Sequence, residues 1–255
     1  ALRAALARFG VPWDGVRQRP LSVPIYDAGD VTPAPGDDER ALLETHQRVQ
    51  RAVAALHARG MISICVGGGH DLSLPSIAAV STSTGGALGG INLDAHLDVR
   101  ERIGSGMPFR RLIEDGSLDP RRFVELGLGR FVNDERDLEW LRAQGGTSIH
   151  AEVILERGLD RDAALELASA EGPAFLSIDL DALDQSVAPG VSAPNPMGVP
   201  LWEAARLAEA AGANEAIRHF DLMELNPAVD VDGRTARAAA LLLLHFVAGL
   251  CQRAP

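Results

Sequence analysis

Two short runs alternate acidic or imidazole side chains with apolar ones. Ile91-Asn92-Leu93-Asp94-Ala95-His96-Leu97-Asp98 places two carboxylates and an imidazole at i, i+2 and i+4, directly after an apolar segment. Phe175-Leu176-Ser177-Ile178-Asp179-Leu180-Asp181 places two more carboxylates at i and i+2. In extended backbone, alternate side chains point to one side. Asp94, His96 and Asp98 can therefore converge, and so can Asp179 and Asp181. Carboxylates that close repel unless cations sit between them, and the economical reading is a pair of divalent metal ions. His70, which follows the permissive turn of Gly67-Gly68-Gly69, adds a second imidazole. Donors of this oxygen-rich, mixed kind suit Mn²⁺ ahead of Mg²⁺, Fe²⁺, Co²⁺ or Zn²⁺. They are too many for one tetrahedral zinc and suit two ions about 3.5 Å apart that share bridging carboxylates.

Such a pair lowers the pKa of a water between the ions and supplies hydroxide at neutral pH. It also offsets the charge of a forming tetrahedral intermediate. The chemistry is hydrolysis at an electrophilic carbon or phosphorus. Acidic surroundings disfavour phosphate esters and favour a cationic group. Glu224 and Asp184 can face a positively charged amidine or guanidine. Each residue alone is weak testimony, because a lone Asp at a strand end usually caps a helix or makes an Asx turn. Their joint occurrence at strand ends is what points to metal. His46 and His57 read as surface or packing residues of an amphipathic helix, and His219 and His245 as structural. Asp71 reads as a partner of a ligand or as a cap for the helix that begins at Ser73.

The elements that must position these donors follow from hydrophobic periodicity. Strands are expected at Ser22–Tyr26, Ile62–Val66, Gly89–Leu93, Phe123–Leu126, Thr147–His150, Ala174–Ile178 and Ala216–Asp221. Helices are expected at Leu2–Arg8, Asp38–Arg59, Ser73–Val80, Met107–Glu114, Asp134–Gln144, Arg161–Glu171, Leu201–Ala211 and Gly233–Cys251. This alternation implies βαβ units and a mostly parallel sheet covered on both faces. Ligand sites in such sheets lie outside the C-terminal ends of the strands. His70, Asp94 to Asp98, Asp179 to Asp184 and Asp221 to Glu224 each follow a predicted strand.

Bulk composition narrows the partners. The 255 residues carry a formal net charge of −11, against the basic footprint that nucleic acids or anionic membranes require. The expected partner is a small-molecule substrate. A core of Ala, Leu, Val and Ile follows from 46% hydrophobic but only 4% aromatic residues. No repeat or linker divides the chain, so one domain over residues 1–255 is expected. Cys65 and Cys251 are too few for a disulfide framework and fit a reducing compartment. Neither a leader nor a bilayer-length apolar run is evident, which makes a cytoplasmic location the expectation.

Gly68-Gly69-His70-Asp71, Asp94-Ala95-His96-Leu97-Asp98, Asp179-Leu180-Asp181-Ala182-Leu183-Asp184 and Phe220-Asp221-Leu222-Met223-Glu224-Leu225-Asn226-Pro227 resemble the four signature blocks of the ureohydrolase (arginase/agmatinase) family. The resemblance runs from about Gly60 to the C-terminus. It implies a three-layer α/β/α sandwich, two Mn²⁺ ions, and a homo-oligomer, trimer or hexamer. By position, one ion falls to His70, Asp94, Asp98 and Asp179 and the other to His96, Asp94, Asp179 and Asp181. Asp94 and Asp179 are then the bridges, Asp98 also orients the nucleophile and accepts its proton, and Glu224 grips the substrate's cationic head.

Ser105-Gly106-Met107-Pro108-Phe109-Arg110 and Ala188-Pro189-Gly190-Val191-Ser192-Ala193-Pro194 resemble the formimidoylglutamase branch. Arginases and agmatinases tend to carry histidine where Ser105 stands. That branch implies hydrolysis of N-formimidoyl-L-glutamate to L-glutamate and formamide in histidine breakdown. The substrate's carboxylates need cations or backbone donors, and Arg100 and Arg110 beside the metal block are the candidates. The resemblance also implies departures: the family's first strand and glycine-rich loop are missing, and the connection from Val99 to Gly106 is short. A guanidine hydrolase (agmatinase, arginase or guanidinobutyrase), a metal-stabilised scaffold without turnover, and a one-zinc deacetylase-like amidohydrolase are the competing readings.

Overall fold

The computed structural model of the chain describes residues 1–10 and 13–253. Its strands are β1 (Trp13–Asp14), β2 (Arg19–Pro20), β3 (Ser63–Val66), β4 (Leu88–Leu93), β5 (Leu118–Leu128), β6 (Thr147–His150), β7 (Ala174–Asp179) and β8 (Ile217–Met223). Its helices are α1 (Leu2–Leu6), α2 (Glu39–His57), α3 (Ser73–Thr84), α4 (Pro108–Glu114), α5 (Glu135–Gln144), α6 (Ala151–Arg157), α7 (Arg161–Ser169), α8 (Leu201–Ala213) and α9 (Arg234–Leu250). Short 3₁₀ turns begin at His70 and at Leu180. Strands β3 to β8 form one parallel sheet in the order β3-β8-β7-β4-β5-β6, and β1 with β2 makes a separate two-residue antiparallel pair.

Period-two alternation splits the sheet into two chemically different faces. One face sends Ile91, Leu93, Leu176, Ile178, Phe220 and Leu222 into a core closed by α1 and α6 to α9. The other sends Phe123 and Phe175 against α2 to α5, through Val53, Ile77, Phe109 and Leu141. The sandwich therefore has three layers. On the second face every strand but β3, which carries Cys65 there, turns polar towards its C-terminal end. Cys65, Asp221, Ser177, Asn92, Glu125 and Ser148 are successive register partners across the sheet, one pleat below the strand ends. Gly90 makes room for this face, since a Cβ there would lie 2.2 Å from the Phe175 ring.

Helix starts follow local capping chemistry: Asp38, Asp134 and Asp160 each accept a backbone N–H of the first turn of α2, α5 and α7. The strand expected over Ser22–Tyr26 is not formed. Pro24 lacks the N–H a ladder needs, and Ile25 and Tyr26 stay 59% and 74% exposed. Helix α1 stops at Leu6, short of the expected Arg8, and α3 runs on to Thr84 before Gly85 ends it in the left-handed region. The unexpected helix is α6, which starts directly at the end of β6 with Ala151 and Ile154 turned inward. Among the described residues no helix is long and apolar enough to cross a membrane.

Candidate metal centre

Strand ends and tight turns bring six donors together. Asp94 and Asp179 bend their own chains: Asp94 Oδ1 accepts the His96 amide at 2.7 Å, and Asp179 Oδ1 accepts the Asp181 amide at 2.7 Å. These Asx turns carry the residue at i+2 back over the strand end. Asp98 adopts a left-handed backbone, φ 49°, sparsely populated outside glycine and asparagine-like residues. Asn133 clamps this loop, accepting from the Leu97 amide at 2.9 Å and donating to the carbonyls of Ala95 and Gly129. Phe109 sets its ring edgewise to His70, with centroids 5.3 Å apart.

The result is two adjoining cages. His70 Nδ1 lies 3.0 Å from Asp94 Oδ2, 3.0 Å from Asp98 Oδ2 and 3.1 Å from Asp179 Oδ2. His96 Nδ1 lies 3.4 Å from Asp94 Oδ1 and 3.3 Å from Asp181 Oδ2. Donor atoms of His70, Asp94, Asp98 and Asp179 fall within 4.8 Å of one another, and so do those of Asp94, His96 and Asp181. Asp94 alone belongs to both groups; Asp179 belongs to the first. All but the half-buried His96 are buried.

The electrostatics are those of donors waiting for cations. Burial opposes a charge on His70, yet Asp179, Asp94 and Asp98 around its ring lift it well above the ordinary imidazole range. Asp181 and Asp94 push His96 up to about 11. Burial and the neighbouring Asp94 raise Asp98, Asp179 and, to about 6, Asp181. Asp94 stays below the usual carboxylate range despite its burial, because His70 and His96 flank it.

Behind His70 the hydrogen bonds fix its tautomer. Asp221 receives the hydroxyls of Ser177 and, at 2.8 Å, Ser73. Ser177 therefore gives its proton to Asp221 and accepts from His70 Nε2–H, 2.9 Å away. In the proton-free form that takes a metal, His70 Nδ1 then offers its lone pair among the carboxylates. Consistently, His70 Nδ1 and Asp181 Oδ1 are buried with no hydrogen-bond partner. Orphaned donors of these types fit divalent metal, with the supporting partner a ligating histidine requires.

The other expected residues divide. Glu224, also left-handed at φ 63°, joins the rim: its Oε1 accepts the His70 amide and its Oε2 accepts the Ser192 hydroxyl at 2.7 Å. Ser105 sits beside it, since both come within 4 Å of a Cβ built on Gly69. Arg100 is exposed, its stem lying over Gly106. Arg110 is spent elsewhere: it binds Glu101, Glu114 and the Val99 carbonyl and stacks 4.4 Å from the Trp140 ring. Asp184 ties its carboxylate to the Ser186 amide and is not among the converging donors. Sequence reasoning missed His46, which is buried and lies 2.6 Å from Asp71. The signal was an imidazole on the inward stripe of α2, with Val49 and Val53. A separate cavity of about 640 Å³ lies between the N-terminal segment and α8/α9, lined by Trp13, Arg17, Trp202 and His245, and includes none of the cage residues.

Fold and cages together define a three-layer α/β/α protein with a buried metal-ligand cluster at the C-terminal rim of its sheet. The chain belongs to the arginase family, whose sequence profile matches residues 1–249. It is 35% identical over 232 residues to the formimidoylglutamase of Halobacterium salinarum, covering 88% of this chain and 73% of that one. It is 31% identical over 250 residues to the guanidinopropionase of Pseudomonas aeruginosa, covering 95% and 74%. The crystal structure of Trypanosoma cruzi formiminoglutamase with Mn²⁺ superposes with a TM-score of 0.89 at 31% identity, covering 99% of this chain and 86% of that one.

Proposed function

We propose that the chain is a manganese-dependent formimidoylglutamase that hydrolyses the formimidoyl C–N bond of N-formimidoyl-L-glutamate, releasing L-glutamate and formamide in histidine breakdown. The observation that carries the reading is the convergence of His70, His96, Asp94, Asp98, Asp179 and Asp181 in two cages that share Asp94. His70, Asp94, Asp98 and Asp179 would hold one ion, and Asp94, His96 and Asp181 the other. Two divalent ions supply Lewis acidity, lowering the pKa of water towards neutrality and offsetting the charge of a tetrahedral carbon.

The chain's own groups do the rest. Asp98, whose carboxylate lies in the first cage, accepts the proton of the attacking water. Glu224 turns a carboxylate to the cationic formimidoyl group, and its two oxygens are already oriented by the His70 amide and Ser192. Arg100, exposed with its stem over Gly106, meets a substrate carboxylate. A homo-oligomer, trimer or hexamer, and a cytoplasmic location belong to the same proposal.

The likeness to the H. salinarum and T. cruzi proteins supports a formimidoyl substrate. Ser105 beside Glu224 supports it too, where arginases and agmatinases tend to carry histidine. The second reading, a guanidine hydrolase, is favoured by the likeness to guanidinopropionase. A turnover panel on the manganese-loaded chain decides. Formimidoylglutamate should exceed guanidinopropionate, guanidinobutyrate, agmatine and arginine; activity on a guanidine alone overturns the reading.

A further inference from the structure

The hydrogen bonds behind His70 do not end at Asp221. His219, two residues earlier on the same face of β8, places Nε2 3.2 Å from Asp221 Oδ2. Its other nitrogen, Nδ1, lies 2.7 Å from Ser63 Oγ on β3, the strand that pairs with β8 at this register. Ser63 Oγ in turn lies 2.9 Å from Nε2 of His57, the last residue of α2. His70, Ser177, Asp221, His219 and Ser63 are all buried, and His57 is half-buried at the helix end. The chain of contacts is continuous from the metal cage to the outside of the sandwich.

Its polarity is determined throughout. Asp221 accepts on both oxygens, from Ser177 on one and from Ser73 and His219 on the other. A carboxylate that only accepts requires His219 to carry its proton on Nε2. His219 Nδ1 is then an acceptor, which takes the Ser63 hydroxyl proton. Ser63 has one proton to give, so it accepts from His57 Nε2–H. Donors thus run inward from both ends and meet at Asp221 with no clash, and the one buried relay atom left without a hydrogen bond is His70 Nδ1, which faces the cage.

We propose that His57, Ser63 and His219 are positioning residues for the metal cage, acting through Asp221 and Ser177 on His70. They hold Asp221 as an acceptor in one place, which keeps Ser177 turned to receive His70 Nε2–H and His70 Nδ1 turned to the ion. Outer partners of ligating histidines orient the ring and raise its basicity. Here that support extends two strands away to the end of a helix. The inference rests on the metal-centre reading proposed above.

The test is chelator competition on the full manganese-loaded chain, read as metal retained against chelator concentration. Ser63→Ala leaves His219 Nδ1 without its donor and should release manganese at about tenfold lower chelator, the low end for outer partners. Ser63→Thr restores the hydroxyl and the wild-type curve. His57→Phe, at a half-exposed site that tolerates change, should shift the curve in the same direction by less. Curves of Ser63→Ala and His57→Phe that superimpose on wild type overturn the proposal, whatever their melting temperatures. So does a Ser63→Ala shift that threonine does not reverse and His57→Phe does not share. A wild-type chain that retains no manganese under the same protocol sinks the metal-centre reading beneath it.

Discussion

The backbone amide of His70 donates to Glu224 Oε1 at 3.1 Å. The residue that would hold an ion and the residue that would hold the substrate's cation are therefore locked together. Glu224→Gln keeps an oxygen for that amide but removes the charge. Hydrogen bonds to charged groups contribute about 1.5–3 kcal/mol, so kcat/KM should fall about 10- to 100-fold with manganese content unchanged. Steady-state kinetics beside elemental analysis check this; loss of metal together with activity would mean that Glu224 supports the cage instead.

Asp94 is the one residue in both cages. Asp94→Asn should therefore empty both ion sites, whereas Asp181→Asn, which touches only the His96 cage, should empty one. Metal stoichiometry of the purified variants measures it. Equal losses would show that the two ions bind as an inseparable pair.

Metal uptake must release protons, because the ligating forms are proton-free. Without ions, Asp181 and Asp94 hold His96 at about 11, and burial with Asp94 nearby holds Asp181 at about 6. At neutral pH His96 thus surrenders a proton on binding, as does His70, which Asp179, Asp94 and Asp98 hold well above the ordinary imidazole range, and below about 6 Asp181 surrenders one as well. Manganese affinity should rise with pH and fall more steeply once the solution is more acidic than that. Calorimetric titrations in buffers of different ionisation heat read the proton count; a pH-independent affinity would contradict it.

Much of this was legible in the chain because the cage residues sit where periodicity is strict. Asp94, His96, Asp98, Asp179 and Asp181 follow strands whose alternation the sequence displays, and a strand end is where a parallel sheet opens. Arg110 was misread for the opposite reason. Sequence proximity to the metal block says nothing of direction, and Glu101, Glu114 and Trp140 claim its guanidinium from outside. His57, Ser63 and His219 looked bland one at a time, since their meaning depends on the β3–β8 register. Ser22–Tyr26 misled because its apolar alternation hid Pro24, which has no N–H to give a ladder.

The two arginines separate in kinetics. Arg100→Ala should raise KM several-fold for a substrate bearing carboxylates and leave the urea midpoint unchanged, as an exposed side chain predicts. Arg110→Ala breaks two ion pairs and a cation–π contact. Exposed pairs are weak, so about 1 kcal/mol of stability should be lost with KM intact. The reverse assignment would place Arg110 in the substrate site.

His57 offers a test in stability alone. Burial, with the Arg218 charge nearby, pushes its imidazole down to about 4, while an unfolded chain titrates it near 6.5. Between those values the unfolded state binds the extra proton, so stability rises with pH across the window and is lost as pH falls from about 6.5 to about 4. His57 is half exposed, and after screening the effect is about 1 kcal/mol. Urea midpoints of wild type and His57→Phe should therefore diverge in acid. The wild type loses about 1 kcal/mol more than the variant between pH 7 and pH 4. Parallel losses in the two proteins would mean that His57 takes up its proton without leaving Ser63.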